Sequence, residues 1–68
     1  MRIQLNGEPY EGPDALTVAQ LLELLGIEQA RVAVEMNLNI LPKEEYATTA
    51  LKEGDRLEVV HFIGGGAS

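Results

Sequence analysis

Alternating polar and apolar positions predict strands at both ends of the chain. Residues 2–5 alternate in this way, and Asn6-Gly7 follows them. This dipeptide favours a two-residue hairpin, because both central positions of a type I′ turn need positive φ. Residues 8–11 then form the return strand, and Pro9 places it at a sheet edge because proline has no N–H to donate. Residues 56–63 are predicted as the last strand.

The spacing of apolar residues predicts one helix over residues 17–25. Thr17 is its N-cap, and Gln20 completes a capping-box pattern three residues later. Gly26 follows as the glycine that ends the helix. The apolar stripe of this helix consists of Val18, Leu21, Leu22 and Leu25.

The middle of the chain predicts two further strands, over residues 31–36 and 40–41, separated by a turn at 37–39. A single helical turn is expected at 43–46, after Pro42. These elements predict an α+β domain with a mixed sheet crossed by one main helix. We expect the first and last strands to be adjacent and parallel, with the last strand central. One helix covers one face of the sheet, so the other face should be open.

The core is predicted from the apolar positions that have the proper period within each element. These positions are Ile3, Leu5, Val18, Leu21, Leu22, Leu25, Val32, Val34, Leu57 and Val59.

Length, composition and charge exclude several classes of protein. The chain has 68 residues and predicts one domain, and it contains no cysteine, which excludes disulfides and thiolate metal sites. Its net charge is −6, which disfavours nucleic acid and favours a basic protein partner. The sequence shows no signal peptide and no apolar stretch long enough to span a membrane, so we expect a cytoplasmic protein.

The end of the chain holds the candidate functional residues. Val60 and Phe62 are expected to point outward from the last strand and to form a partner-binding surface. Gly64, Gly65 and Gly66 follow. We therefore predict a folded domain over residues 1–63 and a flexible tail over residues 64–68, because glycine gives up the most backbone freedom on ordering.

An internal active site is not expected. His61 is the only histidine and has no nucleophile at a recognisable spacing, and Glu44, Glu45, Glu53 and Asp55 lack the spacing of a calcium loop. We predict no catalytic residue and no metal site. The reactive group is then expected to be a carboxylate at the end of the tail.

Several segments together resemble the ThiS family of sulfur-carrier proteins of thiamine biosynthesis. They are VAVEMN at 32–37, LPKEEYA at 41–47, EGDRLEVV at 53–60, and the glycine tail. The resemblance implies a ubiquitin-like β-grasp fold and a carrier rather than an enzyme. It also implies that a ThiF-type enzyme uses ATP to adenylate the tail, with no cofactor bound to the carrier itself. A sulfur donor protein then supplies the sulfur of a thiocarboxylate, which a ThiG-type thiazole synthase consumes.

The family pattern places the reactive carboxylate on Gly66, whereas Ala67 and Ser68 follow it here. A peptidase removes them, or they are an added extension, or this member is not a carrier. Two alternatives stay open at this point. One is the small subunit of molybdopterin synthase, although residues 61–63 do not match the Pro-Pro-Val-type segment typical of it. The other is a ubiquitin-like interaction or modifier module without sulfur transfer.

Overall fold

The computed structural model describes residues 1–62, which contain five strands, one α-helix and two short 3₁₀ turns. The strands are β1 (Arg2–Leu5), β2 (Glu8–Glu11), β3 (Val32–Met36), β4 (Asn39–Leu41) and β5 (Arg56–His61). The helix α1 is Val18–Leu24, and the 3₁₀ turns are Gln29–Arg31 and Lys43–Glu45. The predicted tail at 64–68 lies outside the described residues, so the boundary between domain and tail stays a prediction.

The strands form one mixed sheet in the order β2-β1-β5-β3-β4. Strands β1 and β5 are parallel, and the other neighbouring pairs are antiparallel. This confirms the predicted topology, with the last strand central and beside the first. Pro9 lies in β2 at the edge of the sheet. At an edge, the missing N–H of a proline can face away from the neighbouring strand, so no carbonyl group of that strand loses its donor.

Helix α1 has the capping residues predicted for it. The Gln20 N–H donates to Thr17 Oγ1 at 3.1 Å, and the Thr17 N–H donates to Gln20 Oε1 at 2.9 Å, which completes the capping box. At the other end Gly26 has a φ of 72°, and the Ile27 N–H donates to the Leu22 carbonyl at 2.9 Å. This last bond is that of a Schellman motif, and it turns the chain away from the helix axis.

The helix packs its apolar stripe onto one face of the sheet. The buried apolar residues of the described chain are Ile3, Leu16, Val18, Leu21, Leu22, Val32, Val34, Tyr46, Leu51, Leu57 and Val59. Eight of the ten predicted core residues are among them, and Leu5 is half-buried against the cluster. The prediction for Leu25 is wrong, because 37% of this residue is exposed. Its angle on the helix suits burial, but it is the C-cap, where the chain turns away.

Three buried residues were not predicted, and they lie outside the regular elements. Leu51 donates its N–H to the Leu16 carbonyl at 2.8 Å, and the Ala19 N–H donates to the Tyr46 carbonyl at 2.9 Å. The segment after the second 3₁₀ turn therefore runs along the start of α1 and closes that side of the core. Burial raises the pKa of the Tyr46 phenol, so this side chain is neutral around pH 7.

Asn6 has a second role besides its place in the predicted turn. The turn itself is confirmed, with φ of 50° at Asn6 and 83° at Gly7. In addition, the Asn6 side-chain amide accepts the Val59 N–H at 2.7 Å and donates to the Val59 carbonyl at 3.2 Å. The side chain thus continues the pairing of β1 with β5 past the point where β1 ends, and it holds the second half of the central strand in place.

The hairpin between β3 and β4 contains a bulky residue in a strained conformation. Met36 lies opposite Asn39, so the turn consists of Asn37 and Leu38, with φ of 52° and 74°. Leu38 is 76% exposed and has no buried contact to offset this geometry. A left-handed conformation costs a residue with a side chain roughly 1–2 kcal/mol.

Replacing Leu38 with Gly is therefore expected to stabilise the domain. Glycine adopts this φ without strain, and part of the gain is lost to its greater freedom in the unfolded chain. We expect a net gain of about 0.5–1 kcal/mol and a melting temperature several degrees higher. Leu38→Ala is the control, since it removes the exposed apolar side chain but keeps a Cβ in the strained position. A thermal melt in which both variants change equally would show that strain is not the cause.

Candidate functional site

The two faces of the sheet differ in what covers them. Residues that point to the helix side of β5, such as Leu57 and Val59, are buried. Residues that alternate with them, such as Glu58 and Val60, are exposed. The open face predicted from the sequence is therefore present, and it extends along the central strand that leads to the glycine residues.

Apolar residues of β3, β4 and β5 and the residue after β5 lie on this open face. Val60 is 57% exposed and lies opposite Ala33 of β3, while Ile40 of β4 is 76% exposed. Phe62 is 59% exposed, and its N–H donates to the Arg31 carbonyl at 2.9 Å, one pair further along the ladder. We call Ala33, Ile40, Val60 and Phe62 the open-face patch. Exposed apolar side chains grouped on one face of a sheet are typical of a protein-binding surface.

Ile40 was not predicted as part of this surface. The sequence indicated a three-residue turn at 37–39, whereas the structure has a two-residue turn. A difference of one residue reverses the face on which every following side chain lies. In the observed register Ile40 lies opposite Glu35 on the open face, and Leu41 lies opposite Val34 on the core side.

Two carboxylates border the open-face patch. Glu35 and Glu58 lie directly opposite each other on β3 and β5, and both are exposed. Like charges in this position destabilise a sheet. They are two of the acidic residues that give the chain its net charge of −6. The side of the patch next to Glu35 and Glu58 therefore suits positive charge on a partner.

Two acidic residues in the loop before β5 have structural partners. Glu53 Oε1 accepts the Arg2 N–H at 2.9 Å, and Asp55 Oδ2 accepts the Lys52 N–H at 2.8 Å. Asp55 Oδ1 also accepts from the Asn37 side-chain amide at 3.1 Å. These contacts fix the loop before β5.

A shallow cleft lies on the sheet where β5 begins, and so at the opposite end of that strand from Phe62. It is lined by Arg2, Ile3, Gln4, Pro9, Glu53, Gly54 and Arg56. These residues include no histidine, serine, threonine or cysteine that could act as a nucleophile or as its base. The cleft therefore holds no hydroxyl or thiol nucleophile, and its one carboxylate, Glu53, accepts the Arg2 N–H.

The predicted site residues fall into two groups. Val60 and Phe62 are exposed, as expected, although their role in binding stays a prediction. Gly64, Gly65 and Gly66 lie outside the described residues.

Within residues 1–62, the helices are too short to span the apolar layer of a membrane.

Comparison with known proteins identifies the family to which the chain is similar. The ThiS family model matches residues 3–66 of the chain. Sulfur carrier protein ThiS from Bacillus subtilis is 40% identical over 65 residues, which cover 94% of this chain and 98% of that protein. A thiazole synthase from Paramagnetospirillum magneticum is 48% identical over 67 residues, covering 98% of this chain but 21% of that protein. The chain thus spans about a fifth of the length of the first curated relatives that it matches.

A solved structure shows the same architecture. The crystal structure of the thiamine biosynthesis protein ThiS from Geobacter metallireducens superposes with a TM-score of 0.82 at 39% identity. The match covers 97% of this chain and 100% of the other. A mixed five-stranded sheet crossed by one helix is thus shared by the two proteins, and the ubiquitin-like β-grasp fold that the sequence predicted is confirmed.

Proposed function

Because the chain belongs to the ThiS family, we propose that it is a sulfur carrier of thiamine biosynthesis whose reactive group is the carboxylate of Gly66. The observation that carries this proposal is the family match, which runs through the glycine residues and ends at Gly66. The similarity to a sulfur carrier protein over nearly the full length of both chains supports it. The matches to the ThiS family favour the thiamine pathway over molybdopterin synthesis.

The proposed chemistry takes place on the tail, and partner proteins catalyse it. A carboxylate is a poor electrophile, so an activating enzyme of the ThiF type first joins it to the α-phosphate of ATP and releases pyrophosphate. Sulfide-level sulfur supplied by the donor protein then attacks the acyl carbon, AMP leaves, and Gly66 carries a thiocarboxylate. This chain contains no cysteine that could carry out the second step itself. It acts as a co-substrate of these enzymes, and its contribution is to present the tail.

The open-face patch is the proposed docking surface for the activating enzyme. Two of its residues lie on or directly after β5, the strand that leads to the tail, and the other two lie on β3 and β4. The two carboxylates beside it favour positive charge on the partner. A ThiG-type thiazole synthase is the proposed acceptor of the sulfur. A relative named thiazole synthase contains a segment similar to 98% of this chain, which supports that partnership.

Adenylation can be tested directly. Incubation with a ThiF-type enzyme, ATP and labelled pyrophosphate should give carrier-dependent exchange of label into ATP. Addition of a sulfur source should then raise the intact mass of the carrier by the difference between sulfur and oxygen.

Phe62→Ser is expected to weaken binding to the activating enzyme while the fold stays intact. The side chain is exposed, so its removal leaves no cavity in the core, but it takes away an aromatic group of the kind that dominates interface energies. We expect Kd to rise about tenfold or more in titration calorimetry. Leu24→Ser is the matched control, because Leu24 is similarly exposed at 62% but lies on the helix. If Phe62→Ser unfolds the domain, or if both variants bind equally, the patch is not the docking surface.

A further inference from the structure

Lys43 connects four parts of the structure through its ammonium group. This group donates to the Gln29 carbonyl at 2.8 Å and to the Val32 carbonyl at 2.5 Å. It also lies 5.6 Å from the centre of the Tyr46 ring and 5.3 Å from the centre of the Phe62 ring. One side chain thus links the first 3₁₀ turn, the start of β3, the buried tyrosine and the residue after β5.

The partners of this ammonium group are carbonyl dipoles and aromatic rings. Among residues 1–62 the ion pairs are Met1 with Asp14 and Arg31 with Glu28, and neither involves Lys43. Ordering a lysine side chain costs rotamer freedom. Two carbonyl bonds and two cation–π contacts together offset that cost, because each of them requires the same position of the ammonium group.

The contacts of Lys43 restrict the position of Phe62. Its backbone is held by the bond from its N–H to the Arg31 carbonyl, and its ring lies within cation–π distance of Lys43. The ring would otherwise rotate freely, since the residue is 59% exposed. Lys43 therefore restricts the aromatic group of the open-face patch. This group, Phe62, stands four residues before Gly66 in the sequence.

We propose that Lys43 is a positioning residue for docking to the activating enzyme, and that it acts by holding the Phe62 ring in the orientation that the partner recognises. This proposal rests on the proposed function and adds a determinant of it. Pre-orienting an interface side chain improves affinity because less freedom is lost on binding. The effect should therefore appear in the KM for the carrier and leave kcat unchanged.

The test uses the chain ended at Gly66 and compares Lys43→Met and Lys43→Arg in the pyrophosphate-exchange assay. Methionine keeps an unbranched apolar stem and removes the charge, whereas arginine keeps the charge. We expect KM to rise about two- to fivefold for Lys43→Met, as loss of one exposed cation–π contact predicts. Lys43→Arg should restore a KM close to that of the original chain. Phe62 is the only phenylalanine, so its ring signals in NMR spectra should shift in Lys43→Met without any partner.

A double-mutant cycle with Phe62→Leu separates positioning from a general structural role. If Lys43 acts through the ring, Lys43→Met should have no further effect on KM once the ring is absent. An unchanged KM for Lys43→Met, or an equal rise in KM with and without the ring, would overturn the proposal. Absence of exchange with the unsubstituted chain would instead refute the proposed function, and the docking role of Lys43 with it.

Discussion

The chain ended at Gly66 is expected to be adenylated by a ThiF-type enzyme, and the chain that continues to Ser68 is not. Adenylation needs a free carboxylate at the reacting position, and in the longer chain the Gly66 carbonyl is part of a peptide bond. An activating site shaped for glycine also excludes the Ala67 methyl group and the Ser68 side chain. For the chain that continues to Ser68 we expect activity at the background level of the assay. Pyrophosphate exchange measures adenylation, and intact mass after addition of a sulfur source measures sulfur transfer.

Substitutions within the tail provide the control for this experiment. Gly65→Val and Gly66→Val in the shorter chain should abolish adenylation. A β-branched side chain restricts φ and ψ and adds bulk to the tail. Their melting temperatures should equal that of the unsubstituted chain, since the buried apolar residues that the structure describes all lie between Ile3 and Val59. Equal activation of the 66- and 68-residue chains would falsify Gly66 as the required terminus. Failure of both chains with active enzyme would favour an interaction module.

Replacement of Leu21 or Leu22 by Ala is expected to remove a large part of the stability of the domain. Both side chains are fully buried between α1 and the sheet. Removing such a side chain costs about 2–5 kcal/mol, because apolar contact is lost and a cavity remains. A domain of this size has a total stability on the order of 3–10 kcal/mol. Urea unfolding followed by circular dichroism should show a much lower midpoint, or no folded baseline at all.

Leu24→Ala makes the same chemical change on the same helix at a position that is 62% exposed. It should change the free energy of unfolding by less than about 0.5 kcal/mol, because an exposed side chain leaves no cavity. If Leu21→Ala and Leu24→Ala have similar midpoints, the assignment of Leu21 to the core is wrong, because alanine is the stronger helix former and propensity cannot account for a loss.

Much of the fold could be predicted because its signals are local. A type I′ turn needs positive φ at both central residues, so Asn6-Gly7 indicates a hairpin without reference to the rest of the chain. The capping box depends on residues three apart, and the edge position of β2 follows from the missing N–H of Pro9. The exposed positions of Val60 and Phe62 followed from the same kind of reasoning, since side chains alternate along a strand.

The remaining features depend on groups that are distant in sequence, and only the folded chain brings them together. Tyr46 and Leu51 are buried because an irregular segment packs against the start of α1, and such a segment has no hydrophobic period to detect. Leu25 has the right period but lies where the chain leaves the helix. The contact of Lys43 with Phe62 joins residues on separate elements. Local signals identify elements and turns, whereas burial and side-chain contacts are decided by which elements pack together, since a side chain's neighbours in space come mostly from other parts of the chain.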